Sequence, residues 1–181
     1  MRNMNIKTLI GMAACFLTAG YSTAFAQKEI PMKNPGFEEE DKGWTFVDPG
    51  LSKIIPEAAH NGSANGLRVT DDDANSGSSV FSDPHEAKPG ATYEVTFWGR
   101  YLRGEGMAVS IVFYDANKKI LNSPVQKNEN IVIISKGTTD WKQFKVEGVA
   151  PAGAATLRIW IHSFYADMPV ADVDDVGLIE K

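Results

Sequence analysis

The chain has 181 residues, with 18 Lys or Arg and 23 Asp or Glu, and a formal net charge of −5. An acidic chain with no basic run lacks the electrostatic footprint of a nucleic-acid binder or of a protein that docks on anionic membranes. Its single cysteine, Cys15, lies close to the N-terminus, so the rest of the chain can form no disulfide and carries no thiol chemistry.

The chain opens on a basic start, MRNMNIK, followed by an apolar run, TLIGMAACFLTAG, and then Ala24, Phe25 and Ala26 in small-x-small form. This reads as a secretory signal cut before Gln27; it is too short and wrongly flanked for a membrane span. Cys15 in GMAAC also suits lipidation, but Met12 stands where an aliphatic residue is usual. Cleavage would leave one domain, 27–181, and remove Arg2 and Lys7. That length suits a single core, and the expected location is secreted or periplasmic. After cleavage no membrane contact is expected, because no second apolar run is long enough to cross a bilayer.

Short apolar-alternating runs follow, separated by Gly, Pro, Asn and Asp clusters. They predict strands at Met32–Glu38, Gly66–Thr70, Ser78–Ser82, Thr92–Tyr101, Met107–Asp115, Trp141–Gly148, Ala155–Ser163 and Val170–Ile179. The segment 116–140 is long for a loop, and NIVIIS within it suits an extra strand. No stretch has helical period. The fold class expected is all-β, a jelly-roll β-sandwich of two antiparallel sheets.

Five pieces of the chain form an ordered series: NPGFEEEDKGW, HNGSANGLRV, KPGATYEVTFWGR, WKQFKVEGVAPAGAATLRIWI and VDDVGL. The series resembles the carbohydrate-binding modules of families four, nine and twenty-two, which share the galactose-binding-like jelly roll. The resemblance runs from Asn34 to Leu178. It implies a non-catalytic protein that binds a polysaccharide or oligosaccharide, working beside partner glycan-degrading enzymes. It also implies a structural Ca²⁺, with Glu38 and Asp174 supplying side chains and Gly36 a backbone carbonyl. Read by parity alone, Asp174 shares the core-facing side of Val176 and Leu178, a costly place for a carboxylate unless it is paired or metal-bound. The other reading of Asp174 is a salt bridge or hydrogen bond at the sandwich edge.

Jelly-roll pairing places 66–70, 155–163, 92–101 and 107–115 in one sheet. Leu157, Ile159 and Ile161 then face the core, and Arg158, Trp160 and His162 face outward. On the neighbouring strands Trp98, Arg100 and Tyr114 also face outward. Two uncovered tryptophans forgo much apolar burial, roughly 4–6 kcal/mol each as an upper estimate, so something should cover them. A sugar ring fits: its C–H face packs on an aromatic plane, and Arg, His and Tyr hold its hydroxyls. The expected carbohydrate-binding set is therefore Trp98, Arg100, Tyr114, Arg158, Trp160 and His162. The competing reading is a roof made by the chain's own loop, with 116–140 long enough, or by a partner domain. Trp44, Trp141, Phe37, Phe46, Phe81 and Phe144 read as core or edge packing, while Phe164 and Tyr165 could rim the face.

No catalytic residues are expected: His60, His85 and His162 sit in no nucleophile or metal motif. DDDANSG, 71–77, has calcium-loop spacing, but its glycine falls one place late and Ser82 stands at the twelfth position, so it reads as a solvated turn. A second class of function is a small jelly-roll polysaccharide lyase, which needs Tyr114 or Tyr165 close to His162. A third is a structural or protein-interaction module.

Overall fold

The computed structural model describes residues 27–181 apart from 49, 105, 123, 128, 135–138 and 164–167. The signal segment and the rim residues Phe164 and Tyr165 lie outside the described residues. Twelve strands run β1 (Lys28–Glu29), β2 (Trp44–Phe46), β3 (Ser52–Ile55), β4 (Gly66–Thr70), β5 (Ser79–Ser82), β6 (His85–Glu86), β7 (Thr92–Arg103), β8 (Met107–Tyr114), β9 (Ile131–Ile134), β10 (Lys142–Val149), β11 (Thr156–Ser163) and β12 (Val170–Glu180). The only helical turns among the described residues are a 3₁₀ turn at Pro56–Ala58 and the short α1 (Pro124–Lys127). No helix among them is long and apolar enough to cross a membrane.

The strands form two antiparallel sheets. The first has the order β10-β7-β12-β4-β3, with β1 added beside β12. The second has the order β2-β5-β11-β8-β9, with β6 added beside β11. Alternation along each strand sends one set of side chains between the sheets. Tyr93, Val95, Phe97, Leu67 and Val69 come from the first; Val109, Ile111, Phe113, Leu157, Ile159 and Ile161 come from the second. All of these are fully buried. The jelly-roll sandwich is as expected, and NIVIIS does supply an edge strand, β9.

Three expectations are corrected. The segment Met32–Glu38 is a run of turns, not a strand, with Asn34 and Phe37 at φ 49 and 57. Its alternation comes from Phe37, which plugs the end of the sandwich against Trp44 at a centroid distance of 4.9 Å. Secondly, the strand at 92–103 does not lie beside that at 156–163. They belong to opposite sheets, and the central β7 pairs with β10 and β12. Thirdly, Asp174 does not face the core. A bulge between Asp174 and Gly177 flips the parity of β12, with Asp175 at φ 51. Asp174 is therefore opposite Trp98 on the outer face, whereas Leu178 is opposite the core residue Val95.

Candidate functional site

The outer face of the first sheet carries charge. Arg68 lies opposite Asp172 from β4, and Arg100 lies opposite it from β7. Asp172 is fully buried; it accepts from Arg68 Nε at 2.7 Å and Arg100 Nε at 2.8 Å. Both guanidinium groups also donate to the Glu57 carbonyl, at 3.4 and 2.6 Å. This ties the 3₁₀ turn down onto the sheet. Gly66 allows the contact: a Cβ there would sit 1.9 Å from the Ala58 carbonyl oxygen. The turn leads directly to His60, whose ring stacks on Trp98 at 4.2 Å and 18° and meets Trp141 edge-on at 5.1 Å. The Arg100 guanidinium lies over the Trp141 ring at 4.8 Å. Trp98 is thus roofed by a loop, although by 56–60 rather than by 116–140.

The roof is also anchored at Asp174. This fully buried carboxylate accepts the His60 N–H at 2.7 Å and the Asp175 N–H at 2.8 Å. Burial, the largest influence, pushes its pKa up. The Cβ direction of Gly36 points at Asp174 Oδ1, 3.6 Å away, and at Asp175 Oδ1 and Glu38 Cγ, 3.7 and 3.9 Å away. Glu38 Oε1 accepts the Ala64 and Asn65 N–H groups at 2.8 and 3.2 Å. Gly36, Glu38 and Asp174 therefore share one corner with Asp175 and the His60 ring, whose Nδ1 lies 2.9 Å from Asp175 Oδ2. Among the described residues no three His, Cys, Asp or Glu side chains converge as a metal site.

The outer face of the second sheet is apolar. Register aligns Thr45, Phe81, Trp160, Ser110 and Ile131 in one row across five strands. The rings of Phe81 and Trp160 are nearly parallel, 5.5 Å apart at 5°. The His162 ring also stacks with Trp160, at 3.8 Å and 22°. His162 is itself buried, 2% exposed, and its Nε2 meets Ser110 Oγ at 3.2 Å. Burial pushes its pKa down to about 4, so it is neutral at pH 7. It props the indole ring and does not reach the surface. The Trp160 Nε1–H is shielded from solvent and has no protein partner.

The loop after β8 stands up as a wall beside this row. Asn122 clamps it, accepting the Phe113 N–H and donating to the Ile111 carbonyl, both at 2.8 Å. Between wall and sheet runs a groove of about 520 Å³, with Phe81, Trp160, Val112 and Tyr114 on one side and Ile120, Leu121 and Pro124 on the other. Tyr114 also borders a second compartment of about 310 Å³, which Arg158 lines. Arg158 Nε donates to the Ser82 carbonyl at 2.6 Å, and the guanidinium lies over Phe81 at 5.0 Å. A larger hollow of about 670 Å³ lies by Glu38, Glu40, Asp41 and Lys53. It is open and acidic, and its one ring, Phe46, packs against the core.

The six expected site residues are thus split between two faces. Trp160, Arg158, Tyr114 and His162 share the second sheet, whereas Trp98 and Arg100 lie on the opposite side of the sandwich. Phe81, expected as core or edge packing, is outward and in the aromatic row. The alternation Val80-in, Phe81-out in SVFS is the one hint of this, and four residues are too few to fix a phase. DDDANSG is a turn, as expected, except that Asp71 is fully buried and accepts from Ser163 Oγ at 2.7 Å. The pair a lyase would use does not form between His162 and Tyr114. They lie opposite Ala108 and Thr156, six positions apart along the strands, roughly 20 Å.

Residues 32–167 match the family model described as a carbohydrate binding domain. No curated protein matches the sequence. Among solved structures, the chain is similar to the enzymatically active domain of bacteriophage CBA120 tailspike protein 4, at 14% identity and a TM-score of 0.64, covering 81% of this chain and 21% of that one. It is similar to a family 16 carbohydrate-binding module, at 22% identity and a TM-score of 0.57, covering 81% and 97%. It is also similar to TmCBM61, solved in complex with β-1,4-galactotriose, at 20% identity and a TM-score of 0.52, covering 83% and 97%. At these identities the likeness is one of fold.

Proposed function

The chain belongs to the carbohydrate-binding domain family, and from that premise we propose that it holds a polysaccharide or oligosaccharide, without turnover, in the groove beside Trp160. One observation carries this reading: the near-parallel rings of Phe81 and Trp160 line a groove, while the other outward tryptophan is covered by its own loop. Adjacent strands space such rings by roughly 4.8 Å, which suits one sugar or two consecutive ones stacking by their C–H faces. Tyr114 and Arg158 supply polar contacts at the rim. TmCBM61, of similar fold, was solved with a galactotriose, which supports an oligosaccharide as the ligand class.

Absence of turnover is part of the proposal. The nearest approach to a catalytic pair, Ser110 with His162, is buried on both sides and cannot meet a polymer. We also propose that Ca²⁺ is held by Glu38, Asp174 and the Gly36 carbonyl, where it would neutralise the carboxylates that anchor the Trp98 roof. A secreted or periplasmic location, and action beside partner glycan-degrading enzymes, follow if residues 1–26 are a signal.

A glycan array with the purified chain tests the main claim. Binding to a β-linked glycan, with a shift in tryptophan fluorescence, is expected. Release of reducing ends or unsaturated products from the bound polymer would overturn the non-catalytic reading.

A further inference from the structure

This inference deepens, and rests on, the reading of the Trp160 groove as a sugar site. We propose that the sugar it selects bears a carboxylate, a uronic acid, and that Arg158 receives that carboxylate in the compartment next to Tyr114.

The four arginines among the described residues divide sharply. Arg68 and Arg100 are both paired with Asp172, and Arg103 is paired with Asp72. Arg158 has no carboxylate partner among the described residues. Its contacts are with neutral acceptors: Nε–H with the Ser82 carbonyl at 2.6 Å and Nη2 with Thr45 Oγ1 at 3.1 Å. A guanidinium carries five N–H donors in a planar fork, so three remain. The fork matches a carboxylate two bonds at a time. Among the described residues it makes no ion pair, in contrast with the arginines of the first sheet.

The compartment itself suits a charged ring. It holds about 310 Å³, shares Tyr114 as a lining residue with the aromatic groove, and is also lined by Lys118. Lys118 is held there at φ 65 by a turn in which Asp115 Oδ1 accepts the Asn117 and Lys119 N–H groups, at 2.8 and 2.9 Å. Asp115 is the only carboxylate lining this compartment, and those two bonds occupy one of its oxygens. Lys118 has no ion-pair partner among the described residues. In a chain of net charge −5 a polyanion is repelled overall, so two cations facing a single carboxylate beside stacking rings give a local positive excess that is specific rather than general attraction.

The experiment uses the full chain against glucuronoxylan, alginate and polygalacturonate, each in native form and after reduction of its carboxyls to alcohols. A sulfated galactan without uronic acid is the fourth probe. Affinity electrophoresis and calorimetry give the constants. At least one native polyuronate should bind, and reduction should weaken it tenfold or more. Arg158→Gln should weaken the native polymer by a similar factor and leave the reduced one within twofold. Lys118→Gln, which touches only the rim, should cost a few-fold. Raising salt should weaken native binding alone.

Equal binding of native and reduced polymer would overturn the uronate assignment and leave the groove reading standing. Tight binding of the sulfated galactan with no polyuronate bound would assign Arg158 to a sulfate ester instead, and overturn it too. If no native polyuronate binds while neutral glycans do, the inference fails alone. Native binding that is unchanged in Trp160→Ala would overturn the groove reading and the inference together.

Discussion

Trp98 and Trp160 occupy equivalent places, each near the middle of an outer sheet face and each stacked with a histidine. Their surroundings differ. His60 comes from a separate loop and covers Trp98, and that loop is fastened by Asp172, Asp174, Arg68 and Arg100. His162 comes from Trp160's own strand, two residues on, and props the ring from beside it. The first face has satisfied its charges internally. Exposed apolar side chains border both faces, Val47, Ile120 and Ile133 at 54, 54 and 42% by the second and Leu102 and Val149 at 41 and 60% on the first. What sets the second apart is the near-parallel pair of Phe81 and Trp160 lining a groove. Apolar surface left open beside aligned rings marks a contact site better than an outward tryptophan alone does.

The comparison breaks most readily at Asp172. If the first face is structural, Asp172→Ala should cost about 3–5 kcal/mol, because it strands two half-buried guanidinium groups. Urea unfolding measures this, and glycan binding by the folded fraction should be unchanged. A cost under 1 kcal/mol would show that the network is solvated and that the roof is not fastened.

Acid attacks the second face. His162 titrates near 4 in the folded chain, against 6.5 as the ordinary value. Its folded pKa is depressed, so its stability contribution is complete above pH 6.5 and is lost as pH falls from there towards 4. The loss should reach about 3 kcal/mol, with a flat limit below pH 4. Asp174, whose pKa is raised by burial, contributes with the opposite sign. His162→Gln should therefore flatten the loss on acidification between pH 6.5 and 4. If the variant keeps the same slope, other groups cause it.

Calcium tests the other end of the roof. At a free concentration of 100 times Kd the ion should stabilise the chain by about 2.7 kcal/mol, lost on chelation. Glu38→Gln and Asp174→Asn should each remove that response. A melting temperature indifferent to chelator would end the proposal and leave Asp174 held by its hydrogen bonds alone, from the His60 and Asp175 N–H groups and the Ser63 side chain.

Much of this was written in the sequence, but not the half that sorts the faces. Alternation in TLRIWIHS and TYEVTFWGR correctly put both tryptophans outside and Ile159, Ile161, Val95 and Phe97 inside. Alternation is local, however, and says nothing about which strands are neighbours. Only the assumed jelly-roll order places the two strands side by side, whereas β10 and β12 flank β7. The bulge at Asp175 reversed the parity of Asp174, which no period-two count can foresee. Phe81 sat in a four-residue strand too short to fix its own phase. The roof over Trp98 depends on Gly66 and on the His60 N–H, which donates to Asp174 Oδ2 from 114 residues away in the sequence, a pairing visible only once the fold brings the two together.

The tryptophans themselves give the sharpest paired comparison. Trp160→Ala should weaken glycan binding by roughly 30-fold or more, about 2 kcal/mol, and lower the melting temperature by only a few degrees. Trp98→Ala should do the reverse, costing about 2 kcal/mol of stability because a half-buried ring and its His60 stack are lost, with binding kept. Exchange of these two outcomes would move the site to the first sheet.

The smallest effect separates stacking from simple cover. Phe81 lies against Trp160 at 5° and beneath the Arg158 guanidinium. If the row is one platform, Phe81→Ala should cost roughly tenfold in affinity, about 1.4 kcal/mol, and Phe81→Tyr should keep most of it, since a ring of the same plane remains. Phe81→Leu separates the two readings, because it keeps apolar cover but no flat face. Affinity lost in Phe81→Leu and kept in Phe81→Tyr means a ring plane holds the sugar. Affinity kept in both means Phe81 only walls the groove, and Trp160 carries the stacking by itself.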